Sequence, residues 1–116
     1  MQFLTSERFQ AFVTAKPAAA IHFDADWDAR PRDLTRAKML EAEIALGDQV
    51  NFAEIDVDSN VSLCEFIRVR NIPLVAYYRE GRLVAALIGA GQNVRARVER
   101  VLRGESIGYE DGTDKE

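Results

Sequence analysis

Hydrophobic positions recur with two spacings along the chain, and together they predict strands that alternate with helices. Short apolar or alternating runs predict strands at about residues 18–24, 50–57, 74–78 and 83–88. Apolar residues spaced three and four apart predict helices at about residues 6–15, 31–46, 59–67 and 94–102. We expect the second helix to begin near Pro31 or Arg32 and Asn93 to cap the last one. Glu80-Gly81 predicts a tight turn between the last two strands. The order α-β-α-β-α-β-β-α predicts an α/β fold with a mixed central sheet and helices on both faces.

The longest predicted helix carries a single apolar stripe. Its members recur at spacings of three and four, namely Leu34, Ala37, Leu40 and Ile44. Gly47 follows as a residue that readily ends a helix. We expect this stripe to pack against the sheet and the charged residues of the helix to face solvent.

Length and composition predict one ordinary globular domain. We expect it to span residues 1–104 of the 116-residue chain, followed by a polar, flexible tail at residues 105–116. Hydrophobic residues make up 47% of the chain, but no run of them reaches the length of a membrane span. The first residues lack the order of a signal peptide, so we expect a cytoplasmic protein. The net charge of −4 gives no reason to expect nucleic-acid binding.

The acidic residues after the first predicted strand do not form a metal-binding pattern. Asp24, Asp26 and Asp28 match the start of a calcium loop, but alanine and threonine occupy the positions of its glycine and glutamate. We therefore expect these three carboxylates to lie in solvent. His22 has no cysteine or second histidine as a partner for zinc. Because hydrolytic-triad, phosphate-loop and dinucleotide motifs are also absent, no catalytic residue, metal or cofactor is predicted.

The segment from Ala18 to Arg32 resembles the active-site segment of thioredoxins, in which a hydrophobic strand precedes Trp-Cys-Gly-Pro-Cys-Lys. Trp27 matches the tryptophan of that family, but the next residues read Asp-Ala-Arg-Pro-Arg, so both cysteines of the motif are absent. Four more segments resemble family motifs in the right order, namely Ile55-Asp56-Val57-Asp58, Asn71-Ile72-Pro73, Glu80-Gly81 and Gly89-Ala90. The resemblance implies a thioredoxin fold and a cis peptide bond before Pro73.

The resemblance also implies a peptide-binding surface made of three loops. Its residues are Trp27, Asp28, Ala29, Arg30, Pro31, Ile72, Pro73, Gly89, Ala90 and Gly91. In the family, the backbone before the cis-proline pairs with an extended peptide, and that pairing requires no cysteine. We therefore expect a redox-inactive, chaperone-like module for an unidentified protein or peptide client, rather than an enzyme. We expect it to be a monomer or a weak dimer.

The alternative is a thioredoxin-family oxidoreductase that uses the one cysteine of the chain, Cys64. Disulfide exchange requires a thiolate that attacks and, in the family, a second thiol that resolves the intermediate. The family alignment puts Cys64 in the middle of a helix, facing inward, where a thiol behaves as a small hydrophobic group. The accessibility of the thiol therefore separates the two hypotheses.

Two further positions differ from thiol-active thioredoxins, which carry a buried aspartate five residues before the tryptophan and a lysine on the adjacent strand. Here those positions hold His22 and Glu54. The resemblance implies a buried acid–base pair with its charges exchanged, and independent drift of the two positions is the other interpretation. We expect the two side chains to contact each other.

Overall fold

The structure, a computed structural model, describes residues 1–108, and its centre is a five-stranded sheet in the order β1-β3-β2-β4-β5. The strands are β1 (Gln2–Phe3), β2 (Ala18–Asp24), β3 (Val50–Asp56), β4 (Leu74–Arg79) and β5 (Arg82–Ile88). The helices are α1 (Ser6–Thr14), α2 (Ala29–Leu46), α3 (Val61–Phe66) and α4 (Val94–Leu102). Strands β1, β3 and β2 run parallel, whereas β4 is antiparallel to β2 and to β5. The predicted mixed α/β architecture is confirmed.

Strand β2 is buried on both faces because it lies in the middle of the sheet, between β3 and β4. Alternation along the strand sends Ile21 and Phe23 to the face covered by α1 and α3, and Ala18 and Ala20 to the face covered by α2 and α4. The hydrophobic core therefore has two layers, one on each side of the sheet. His22 lies on the α2 side of β2, where its neighbours are polar.

The boundaries of several elements differ slightly from those predicted. Strand β1 is too short to produce a pattern in the sequence, and it pairs with β3 at the edge of the sheet. A short 3₁₀ turn, Asp26–Asp28, connects β2 to α2, and α2 begins at Ala29 rather than at Pro31 or Arg32. Asn93 caps α4 as expected, since its side chain accepts a hydrogen bond from the backbone N–H of Ala96.

The predicted orientation of α2 is wrong. The helix buries Thr35, Met39 and Ala42, which also recur at spacings of four and three. The predicted inward stripe, Leu34, Ala37, Leu40 and Ile44, is exposed along its whole length. Small buried side chains such as Thr35 and Ala42 let the helix axis approach the sheet and α4 closely, which the longer leucine and isoleucine side chains would prevent.

The tail that was predicted to be flexible begins at residue 105, shortly after α4. Ile107 packs against the core layer on the α2 and α4 side, and Arg97 donates a hydrogen bond to the carbonyl of Gly108. Residues 105–108 therefore contact the folded body, and residues 109–116 of the predicted tail lie outside the described residues. Among residues 1–108, no helix is both long enough and apolar enough to cross a membrane.

Candidate functional site

Trp27 projects from the 3₁₀ turn that joins the central strand β2 to helix α2, and 70% of it is exposed. Its indole N–H donates a hydrogen bond of 3.0 Å to Oδ2 of Asp58, which follows β3. This contact ties the Trp27 loop, residues 26–31, to the end of the neighbouring strand. The loop thus lies at the carboxyl ends of two parallel strands, where open α/β sheets commonly place their functional sites.

A shallow cleft of about 170 Å³ lies beside Trp27. The indole forms one wall, and the remaining lining is mostly aliphatic: Val57, Cys64, Val69, Arg70 and Ile72. An exposed aromatic ring next to an apolar cleft with a cationic group at its margin is suited to binding a hydrophobic side chain of a partner.

The Pro73 loop, residues 71–73, connects this cleft to the glycine loop, residues 89–91. The Ile72–Pro73 peptide bond is cis, and the carbonyl of Pro73 accepts a hydrogen bond of 3.0 Å from the backbone N–H of Gly89. Gly89 and Gly91 both have positive φ angles, and space is open beside both, so a partner can approach this loop closely. The structure therefore brings Trp27 next to Ile72, and Pro73 next to Gly89.

The other predicted residues of the Trp27 loop form the first turn of α2. Ala29 and Arg30 are exposed, whereas Asp28 and Pro31 are partly buried. Within residues 1–108, no hydrogen bond joins these four residues to the Pro73 loop or to the glycine loop, and none of them lines the cleft beside Trp27. Trp27 is thus the member of its loop that reaches the shared cleft.

His22 lies directly opposite Glu54 on the adjacent strand β3, and both side chains point toward α2. Its Nδ1 atom is 3.6 Å from Oε1 of Glu54, which is an ion-pair distance but too long for a hydrogen bond. Its Nε2 atom lies closer to another carboxylate, at 2.9 Å from Oδ2 of Asp24. The sequence had predicted that this carboxylate lies in solvent. The histidine ring is therefore held between two carboxylates.

Glu54 has a second and stronger partner on α2. Arg36 donates two hydrogen bonds to its carboxylate, 2.9 Å from Nε to Oε1 and 2.6 Å from Nη2 to Oε2. Burial favours the neutral form of Glu54, but the hydrogen bonds and charges of His22 and Arg36 outweigh it and lower the pKa of Glu54 from 4.5 to about 2. Glu54 is therefore ionised and bidentately paired, as is typical of arginine–carboxylate contacts.

Asp24 corrects the expectation that all three carboxylates of this region lie in solvent. It is 1% exposed, because strand alternation places it two residues from His22 on the same face of β2. Burial and the neighbouring carboxyl of Asp28 raise the pKa of Asp24 to about 6, although the backbone N–H of Ala25 and the ring of His22 oppose that rise. Asp28 is partly buried as well, with its Oδ2 atom enclosed, so it does not lie in solvent as expected. Asp26 is exposed as expected, and it pairs with Arg32.

Cys64, on α3, lines the floor of the cleft beside Trp27 and is 8% exposed. Burial, together with the negative charge of Asp56, raises the pKa of the Cys64 thiol above its ordinary value. A nucleophilic cysteine requires the opposite environment, in which nearby positive charge stabilises the thiolate.

A larger cleft of about 320 Å³ lies away from the Trp27 loop, where β2 and β3 begin. Its charged groups already have partners, since the ammonium of Lys16 donates to the carbonyl of Gly47 and the amino group of Met1 pairs with Glu43. No exposed aromatic residue is among the residues that line this cleft, so the cleft beside Trp27 is the better candidate.

A sequence profile of the family described as Thioredoxin matches residues 1–101. The chain belongs to the thioredoxin family. Thioredoxin of Rhodospirillum rubrum is 34% identical over 70 residues, an alignment that covers 60% of this chain and 66% of that protein, just under two thirds of its length. The family resemblance seen in the sequence is confirmed.

Two solved thioredoxin structures agree with the fold. The thioredoxin of Malassezia sympodialis has a TM-score of 0.72 at 17% identity and covers 92% of this chain and 91% of its own. Mitochondrial thioredoxin 3 of Saccharomyces cerevisiae has a TM-score of 0.72 at 19% identity and covers 90% of this chain and 93% of its own. At such identities the similarity establishes the fold of this thioredoxin-family chain.

The sequence prediction missed three residues around the site. Asp24 was detectable, because alternation along β2 places it beside His22. The roles of Arg36 and Asp58 could not be detected from the sequence. The position of Arg36 depends on how α2 rotates on the sheet, and that of Asp58 depends on how the 3₁₀ turn after β3 folds back toward Trp27.

Proposed function

We propose that this thioredoxin-family protein is a redox-inactive module that binds extended segments of client proteins through the cleft beside Trp27. One observation carries the proposal. The exposed indole of Trp27 and the side chain of Ile72, the residue before Pro73, line the same apolar cleft. A client side chain inserted there would contact an aromatic anchor of the kind that dominates protein interfaces.

The backbone at Ile72 supplies the second component of such a site. Neither the N–H nor the carbonyl of Ile72 forms a hydrogen bond within residues 1–108, and β4 begins only at Leu74. A client strand can therefore pair with this segment by β-augmentation, while the cleft selects one of its side chains. The glycine loop, which is joined to Pro73 by the Gly89 hydrogen bond and has open space beside Gly89 and Gly91, extends the surface.

The residues in place of the family cysteines support binding without disulfide chemistry. Asp28 stands where the attacking cysteine would be, and a carboxylate cannot exchange with a disulfide. The alternative, an oxidoreductase that uses Cys64, has in its favour that the sulfur lines the client cleft. It is disfavoured because burial raises the pKa of this thiol and the described chain has no second cysteine.

The experiment that tests the proposal is selection of short linear peptides from a displayed library, followed by affinity measurement by fluorescence anisotropy. We expect the selected peptides to bind the wild-type protein. Since alanine substitution of an interface tryptophan typically costs 2 kcal/mol or more, Trp27→Ala should weaken binding by about thirtyfold.

Phe66→Ala is the matched control, because Phe66 is an aromatic residue that is 84% exposed and lies outside the cleft. Peptide affinity should stay within about threefold of wild type in this variant, in line with the small effect of most residues outside a hot spot. Equal loss of affinity in both variants, or selection of no peptide at all, would refute the proposed function.

A further inference from the structure

The outward face of α2 carries an apolar stripe that no other part of residues 1–108 covers. Ile44 is 88% exposed, Leu34 is 54% exposed and Leu40 is 42% exposed, with the small residue Ala37 between them. These residues recur at spacings of three and four, so they share one face of the helix, which also carries the exposed charged residues Asp33 and Glu41. Such a seam is typical of a helix that packs against another helix.

We propose that this face is the contact surface of a homodimer, in which the α2 helices of two copies pack antiparallel about a two-fold axis near Met39. In that arrangement, residues equally far from Met39 on opposite sides meet. Leu34 of one copy then contacts Ile44 of the other, and Leu40 contacts its own counterpart close to the axis. Ala37 leaves room for the two helices to approach closely.

The charges at the ends of the stripe select a second copy in this orientation. Arg30, in the first turn of α2, and Asp48, in the turn after the helix, are both exposed and lie at opposite ends of the stripe. Antiparallel pairing about Met39 brings Arg30 of each copy opposite Asp48 of the other. Parallel pairing would instead bring each residue opposite itself and set like charges against each other, which opposes association.

The size of the surface sets the expected strength. Helix α2 has 18 residues, so the contact is limited to a single helix pair about 27 Å long. Such a pair buries less than the roughly 800 Å² per partner of a standard stable interface. We therefore expect a dimer that dissociates on dilution through micromolar concentrations. The inference is independent of the client site, since none of its residues lines the cleft beside Trp27.

Sedimentation velocity of the full chain over a range of concentrations tests the proposal. The weight-average mass should rise from the monomer value of 13.0 kDa toward twice that value. Ile44→Asp buries two carboxylates in the apolar seam, so it should raise the dissociation constant by at least about thirtyfold. Phe66→Asp introduces the same group at an equally exposed site outside the stripe, and the constant should stay within about threefold.

A charge exchange tests the orientation. Arg30→Glu alone should raise the dissociation constant by about tenfold, because two attractive pairs become repulsive. Combining it with Asp48→Arg should restore the constant to within about threefold of wild type. A mass of 13.0 kDa at all concentrations, a dimer that persists in Ile44→Asp, or equal losses in Ile44→Asp and Phe66→Asp would overturn the proposed homodimer. Failure of the double variant to recover would overturn the antiparallel arrangement.

Discussion

The Nε2 atom of His22 lies 2.9 Å from Oδ2 of Asp24, and both side chains are completely enclosed. On its other side the same ring faces Glu54, which in turn binds Arg36 at the surface of α2. A row of ionisable groups thus crosses the interior directly behind the Trp27 loop. Because buried charges are tolerated only when they are paired, each group in the row depends on its neighbours.

Glu54→Gln tests the strongest pair of this row. The variant leaves Arg36 and His22 without their shared carboxylate, so the free energy of unfolding near neutral pH should fall by about 3 kcal/mol. The folded-state pKa of Glu54, about 2, lies below its ordinary value of 4.5. Its stabilising contribution is therefore complete above about pH 4.5 and is lost as the pH falls toward about 2. Urea unfolding at neutral and acidic pH measures both effects.

Asp33→Asn is the control for that variant, because Asp33 is an exposed second partner of Arg36 at 3.9 Å. Its loss should change the free energy of unfolding by less than about 1 kcal/mol, as for most surface ion pairs. If Asp33→Asn and Glu54→Gln lower the free energy of unfolding by similar amounts, the buried pair of Glu54 and Arg36 has no special role.

Asp24→Asn tests a contribution to stability whose dependence on pH is opposite to that of Glu54. The folded-state pKa of Asp24 is raised from 3.8 to about 6. The contribution of Asp24 to stability is therefore complete below about pH 3.8 and is lost as the pH rises through about 6. Asparagine stays neutral at every pH. The free energy of unfolding of the variant, relative to that of wild type, should therefore rise by on the order of 2 kcal/mol from acidic to mildly alkaline pH.

Asp26→Asn provides the comparison for this effect, since the side chain of Asp26 is 99% exposed. The account of the Asp24 environment fails if unfolding measurements give the same dependence on pH for Asp24→Asn and Asp26→Asn.

Cys64 should behave as a packed hydrophobic group rather than as a catalytic thiol. Because burial and Asp56 raise its pKa, we expect it to react with a thiol reagent at least about tenfold more slowly in the native protein than in urea. In the insulin reduction assay with dithiothreitol, the protein should match a protein-free control. Acceleration of that assay that disappears in Cys64→Ser would establish the single-thiol oxidoreductase instead.

Much of the fold follows from patterns that are local in the sequence. The alternation of β3, the cap at Asn93 and the Glu80-Gly81 turn between β4 and β5 all predicted elements that the structure contains. The rotation of α2 did not follow, because hydrophobicity favoured Leu40 and Ile44 whereas close packing favoured smaller residues. Packing of one element on another depends on shape, which a periodic pattern does not encode.

The candidate site was predictable to the extent that it resembles known thioredoxins. The motifs around Trp27 and Pro73 indicated which loops to consider, and Trp27 and Ile72 do share a cleft. The burial of Arg97 was not predicted. This side chain is 1% exposed and donates a hydrogen bond to the side chain of Gln92, which also accepts one from Tyr77. No sequence pattern distinguishes a buried arginine on an amphipathic helix from an exposed one.

Nuclear magnetic resonance of the wild-type protein with a selected peptide tests the central claim most directly, namely that clients bind beside Trp27 and pair with Ile72. The chain has one tryptophan, so a single indole N–H signal reports on the cleft without assignment. The account predicts that this signal shifts and saturates with added peptide, and that the Ile72 amide becomes protected from hydrogen exchange. A saturating peptide that leaves both signals unchanged while shifting residues around Met1 and Lys16 would contradict it.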